Sequence, residues 1–203
     1  MFVSVLSAFS VACVVRVFRG LCYPGFPWLV FSAALIVRVM NRVAPRAVAP
    51  PGYVPIDPFP GPPQSFVSGD PGGHRLRVAY FQRESDSALI ARAWFGQGSE
   101  GPPGYAHGGS VAAVLDEAMG AAAWVAGQPS IAARIEVDFR SMVPLGLDAN
   151  VEMSVEKIEG RKITTRARLL DADGRVLAES AGLFLRLTDD QIRDALRLAQ
   201  GGL

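Results

Sequence analysis

A chain of 203 residues allows one domain plus extensions, and with half of its residues apolar it can bury a sizeable core. The formal net charge is +1, so there is no overall basic field for nucleic acid. Both cysteines, Cys13 and Cys22, lie near the N-terminus, which excludes a disulfide framework or a cysteine-ligated metal from the remainder.

The charge is uneven along the chain. No Asp or Glu precedes Asp57, whereas five Arg do (Arg16, Arg19, Arg38, Arg42, Arg46). Residues 2–15 and 20–37 are two uncharged apolar runs. The first falls short of the ~20 residues a bilayer span needs, and the second carries Pro24 and Pro27 near its start. Three readings of residues 1–43 stand side by side: a membrane anchor, an Arg-bearing targeting segment, or an upstream extension with Met40 as the true start. The expected setting is the cytoplasm, with membrane contact through residues 1–40 as the alternative. Nine of the 15 prolines fall between Pro45 and Pro71, so 44–73 reads as an extended linker that cannot form a helix or a central strand.

The globular part is expected over 74–203. Residues 75–83 alternate Leu76, Val78 and Tyr80 with Arg75, Arg77 and Ala79, and 88–95 hold Ile90, Trp94 and Phe95. With Glu84 to Ser87 between them they predict a hairpin. A Gly/Pro loop (101–104) then opens a helix that runs to Gly127-Gln128-Pro129, a C-terminal glycine followed by a proline that cannot continue it. This helix is apolar or small nearly all round, with bulk from Val111, Val114, Leu115, Met119 and Trp124. Such a helix is buried. Its acidic pair, Asp116-Glu117, is therefore unusual unless it has a partner or a task.

After the helix, 131–140 alternate: Ile131, Ala133, Ile135, Val137 and Phe139 against Ala132, Arg134, Glu136, Asp138 and Arg140, a strand with one covered face. Strands are predicted over 149–158 and 162–170, with a turn at Glu159-Gly160 between them. Asp173-Gly174 is a hairpin signal, and 175–187 is apolar on both faces, hence an interior strand. Thr188 and Gln191 form a capping box that starts a short helix over 189–199. One long apolar helix and an antiparallel sheet suggest a sheet that wraps the helix.

Helix geometry adds a constraint. Gly108 and Gly109 open the central helix, so their N–H groups lack intrahelical acceptors and can receive an anion or a carbonyl. Asp116 lies eight residues on, roughly 12 Å along the axis. One helix cannot bring both to one small reacting group. If both act in one site, the Asp comes from a second, antiparallel copy.

The stretch Glu-Gly-Pro-Pro-Gly-Tyr-Ala-His-Gly-Gly-Ser (100–110), followed by Leu-Asp-Glu (115–117), resembles the hotdog-fold acyl-CoA thioesterases. It is most similar to the branch of the mitochondrial acyl-CoA thioesterases and the phenylacetate-pathway type. Val-Asp-Phe-Arg (137–140), Lys-Ile-Glu-Gly-Arg-Lys (157–162) and Gly-Leu-Phe-Leu (182–185) agree, so the resemblance spans about 76–187. It implies an α+β hotdog fold and an acyl-CoA hydrolase without metal or organic cofactor, working as a dimer or dimer of dimers. It implies that the Gly108 N–H holds the thioester oxygen and that Asp116 acts as general base or nucleophile on the other subunit's substrate. His107 and Gly109 complete the motif, with His107 holding the loop and helix start. Glu117 reads as structural or as an interface residue beside the substrate, and Arg140, Arg161 and Lys162 as candidate holders of CoA phosphates. There is one departure. Where the family carries Thr or Ser, 16 positions past the Asp, this chain has Ala132, and Ser130 is the nearest hydroxyl. That keeps a second reading open, an acyl-CoA-binding protein without catalysis.

Overall fold

The computed structural model describes residues 44–59 and 66–201. The anchor, targeting and alternative-start readings of 1–43 lie outside the described residues. Seven strands and two α-helices make up the described part: β1 (Tyr53–Ile56), β2 (Leu76–Arg83), β3 (Leu89–Phe95), α1 (Gly108–Val125), β4 (Ser130–Phe139), β5 (Asp148–Glu159), β6 (Lys162–Leu170), β7 (Val176–Arg186) and α2 (Asp189–Gly201). The strands form one sheet in the order β1-β2-β3-β5-β6-β7-β4, with every neighbouring pair antiparallel. Among the described residues no helix is long and apolar enough to cross a membrane.

The sheet curls around α1. Val111, Val114, Leu115, Ala118 and Met119 are buried on the helix side, each large one contributing roughly 1.5–3 kcal/mol by leaving water. Ala91, Ala93, Val151, Ile163, Leu169 and Phe184 answer them from the sheet. Small residues set the separation. A Cβ on Gly182 of β7 would fall 2.9 Å from Met119 Sδ and 2.7 Å from Phe184 Cε2, so only glycine admits the helix there. α1 ends in a Schellman motif: Gly127, at φ +73°, donates to Trp124 O at 2.9 Å and Gln128 to Ala123 O at 2.9 Å. At the start of α2, Thr188 N–H donates to Gln191 Oε1 and Gln191 N–H to Thr188 Oγ1, the reciprocal box read from the sequence.

Three local readings change. Within the proline-rich segment, residues 53–56 form a strand. It lies at the sheet edge beside β2, where Pro55 is tolerated because one side of the strand needs no donor. Arg77 is buried (6% exposed) although it alternates with apolar neighbours. Asp148 pairs with it at 2.9 Å and with Arg92 at 2.7 Å. The clean alternation of 131–140 is broken by a bulge between Ala132 and Arg134. Ala132, Ile135, Val137 and Phe139 pair with Phe184, Gly182, Ser180 and Ala178, on the helix side of the sheet, whereas Ile131 pairs with Leu185 and points outward. The expected covered face is open in the single chain: Ile131 is 54% exposed, Ile135 36% and Phe139 56%. β4 is also the last strand of the sheet, so its outer backbone edge has no neighbour among the described residues.

Candidate active site

The loop before α1 fixes where the helix begins. Gly101 N–H donates to Tyr105 O, Gly104 N–H to Glu100 Oε1, and Ala106 N–H to Val143 O. A Cβ on Gly101 would lie 2.7 Å from His107 Cα, so the Gly-Pro-Pro-Gly turn packs directly on His107. The His107 N–H donates to Ser99 O at 2.8 Å. His107 is thereby set as the N-cap of α1, in an extended conformation (φ −63°, ψ 140°).

The two glycines divide the helix's free donors between them. His107 Nδ1 accepts the Gly109 N–H at 2.9 Å, so that donor is used. Ser110 and Val111 donate to His107 O. The Gly108 N–H has no acceptor among the described residues. Gly108 needs no side chain-free backbone: its φ is not positive, and an added Cβ would make only ordinary contact with Phe139, at 3.5 Å. The absence of a side chain there leaves the amide approachable from outside. The amide also has the helix dipole behind it.

Asp116 is half-buried two turns further on. Its Oδ1 is buried without a partner. Burial pushes its pKa up from the usual aspartate value. Glu117, by contrast, is engaged: Tyr80 on β2 donates its hydroxyl to Glu117 Oε1 at 3.1 Å. Burial, and next the charge of Glu117, hold the Tyr80 hydroxyl well above its usual range, so it stays protonated and donates. One carboxylate of the pair is thus committed to structure, and the other carries an unused oxygen.

The remaining candidates are not brought together. Ala132 faces the helix side of the sheet and offers only a methyl group. Ser130 is buried beside the far end of α1, where Trp124 Nε1 donates to its carbonyl, and its own Oγ has no partner. Trp124, expected in the core, is only partly covered. Arg140 lies on the outer face of the sheet, held by Glu179 at 2.6 Å and by Asp138. Arg161 donates to Arg186 O and Lys162 is exposed, both at the opposite end of β7 from Arg140. Leu177 O, which accepts from Arg140, and Arg186 are nine residues apart on β7, roughly 30 Å. These three cations cannot grip one set of phosphates within a single chain. Two neighbours were not singled out from the sequence: Phe139, whose ring borders Gly108, and Tyr80, which holds Glu117. Among the described residues no group of three His, Cys, Asp or Glu could hold a metal ion.

Residues 103–178, which contain this helix, three whole strands and the start of β7, match the family profile of the thioesterase superfamily. The chain is similar to the acyl-coenzyme A thioesterase THEM4 of Xenopus laevis, 32% identical over 119 residues, 58% of this chain and 54% of the relative. It is similar to the acyl-coenzyme A thioesterase THEM5 of Mus musculus, 38% identical over 116 residues, 57% of this chain and 46% of the relative. The chain thus spans about half the length of these curated relatives. A crystal structure of a thioesterase superfamily protein superimposes with a TM-score of 0.54 at 26% identity, covering 87% of this chain and 89% of that one. Residues 103–178 are thus similar to the thioesterase superfamily, and the chain has the α+β hotdog fold, an antiparallel sheet around one long helix.

Proposed function

We infer that the protein hydrolyses acyl-CoA thioesters to the free acid and CoA, in a site shared between two copies of the chain. The observation that carries this reading is the division of labour on α1: a free Gly108 amide at its N-terminus and a half-buried Asp116 with an unpartnered oxygen. The Gly108 N–H would donate to the thioester oxygen and stabilise the charge that develops on it. Asp116 of a second copy would either deprotonate the attacking water, or attack the carbonyl itself to form an anhydride that water then hydrolyses to the free acid; CoA leaves as the thiolate in both routes. The names of the curated relatives support the substrate class. The test is thiol release by the full chain on acyl-CoAs from short to long. Release that saturates with substrate supports the hydrolase. A folded protein that binds the esters without releasing thiol would move the assignment to an acyl-CoA-binding protein, the reading that Ala132 favours.

The roughly 12 Å between Gly108 and Asp116 requires the second copy, and β4 offers the place for it. A ten-residue edge strand carrying exposed Ile131, Ile135 and Phe139, with Met142 just beyond it, is an aggregation hazard unless it is covered. Pairing β4 with the β4 of a second copy satisfies the free edge and brings the second copy against Ile135 and Phe139 on the helix side. Ile135→Glu is expected to convert a dimer to a monomer in sedimentation and to remove thiol release with it. A wild-type protein that is active as a monomer would overturn the shared site.

A further inference from the structure

This inference rests on the thioesterase reading and concerns which acyl groups enter the site. One face of α1 carries Gly109, Ala113, Asp116 and Gly120, all within about 60° of one another on the helix. Apart from Asp116, nothing on this face is larger than a methyl group. It is open at its start, since Gly109 is exposed and Ala113 and Asp116 are half-buried, and it closes at Gly120, which is buried.

The closing group is Phe59, from the segment that follows β1. Its ring meets Trp124 edge-on at 6.0 Å between centroids and Tyr80 at 6.4 Å. Its Cζ lies 4.0 Å from where a Gly120 Cβ would stand, with Phe184 Cε1 at 3.5 Å on the other side. The ring is presented by a short turn in which Asp57 Oδ1 accepts the Phe59 N–H at 3.2 Å across Pro58. Gly120 itself has no conformational reason to be glycine: its φ is not positive, and alanine would make only ordinary contacts. A mid-helix glycine is destabilising relative to alanine. The space it leaves is bordered by Phe184 and Phe59, one turn past Asp116 on the same helix face.

We propose that Phe59 is the floor of the acyl groove and restricts turnover to short acyl chains. Gly120 is one turn past Asp116, roughly 6 Å along the axis, the length of four or five methylenes. An acyl chain that starts at a carbonyl beside Asp116 and follows this face meets the Phe59 ring at that depth. Asp116 and Phe59 belong to the same copy of the chain, so the limit holds whichever copy supplies the oxyanion donor. Phe59 lies outside residues 103–178, the part that matches the family profile.

The test compares kcat/KM across saturated acyl-CoAs of four to sixteen carbons for wild type, Phe59→Leu and Phe59→Ala, with thermal melts to confirm folding. The wild type is expected to fall off beyond six to eight carbons. Phe59→Ala is expected to raise kcat/KM at least tenfold for chains two or three methylenes past that limit, at about fourfold per methylene newly buried. Phe59→Leu should lie between. A purely structural Phe59 would lower the melting temperature and leave the chain-length profile unchanged, which overturns the proposal, as does a wild type equally active on sixteen carbons. If the wild type releases thiol from no ester, the hydrolase reading fails, and calorimetric binding of the same series then decides Phe59 alone: a length limit moved by Phe59→Ala supports it, and an unmoved one overturns it.

Discussion

Asp116→Asn is expected to cut thiol release by roughly 10²–10⁴-fold, the usual range for loss of a general base, while acyl-CoA binding and self-association persist. The amide has the carboxylate's shape and can neither take a proton nor attack a carbonyl. The same change should make the protein more stable at neutral pH. Burial raises the pKa of Asp116 in the folded chain above its unfolded value of about 3.9. Folding therefore favours the protonated carboxyl. That contribution is fully present below the unfolded pKa and is lost as pH rises through the folded one, so at pH 7 the ionised group works against the fold. The asparagine variant should melt above wild type at pH 7, and the gap should close as pH falls through the folded pKa. Over that same interval the wild type's kcat/KM should decline, because the base is being protonated. An Asn variant that keeps turnover within a few-fold would remove Asp116 from the chemistry.

This pairing of lost activity with gained stability distinguishes a working carboxylate from a structural one. Glu117 provides the internal contrast. It accepts from Tyr80 and its neighbourhood is built around that bond. Asp116, one residue away and about 100° round the helix, has a buried oxygen with nothing to accept. The sequence shows only two adjacent acids in an apolar helix. Which of them is spoken for depends on β2, whose Tyr80 comes from 37 residues earlier and gives no local signal.

Most of the architecture is legible from local chemistry. The hairpin turns, the Gly127 stop and the Thr188 box are short-range devices, and each appears where its residues stand. The last long strand, apolar on both faces, is interior, with β6 on one side and β4 on the other. Strand order is less legible. β4 follows α1 in the chain and β5 follows β4, yet β4 pairs with β7 and β5 with β3, because those partners come from non-local closure of the sheet. The bulge at Ala132/Arg134 could not be seen either, since Ile131 and Ile135 keep a period of two that only the partner strand reveals as broken. The proline segment hid both β1 and Phe59. Its composition announces an extended chain, and what it covers depends on where α1 leaves a gap. In the site, the His-Gly-Gly spacing was readable as a helix start, but the capture of the Gly109 N–H by His107 Nδ1, which leaves Gly108 as the free donor, is a matter of side-chain direction.

Gly108→Pro tests that free donor more directly than any side-chain deletion. Gly108 is the first residue of α1, the helical position that tolerates proline best, because its N–H has no acceptor in the helix. The preceding residue, His107, already has the extended conformation that a following proline requires, at φ −63° and ψ 140°. A Cβ added at Gly108 approaches Phe139 at ordinary contact distance. The variant should fold with its His107–Gly109 cap intact and melt close to wild type. It lacks only the N–H proposed to hold the thioester oxygen. Loss of one such donor lowers kcat by about 10²–10³-fold. The decline should appear in kcat, with little change in KM, because the interaction strengthens as charge moves onto the oxygen. Gly108→Ala keeps the N–H and adds a methyl group beside Phe139, so it separates blocked access from a missing donor: it should raise KM more than it lowers kcat. A proline variant with wild-type kcat would mean that the oxygen is held elsewhere, and the free amide of α1 would then have no part in the reaction.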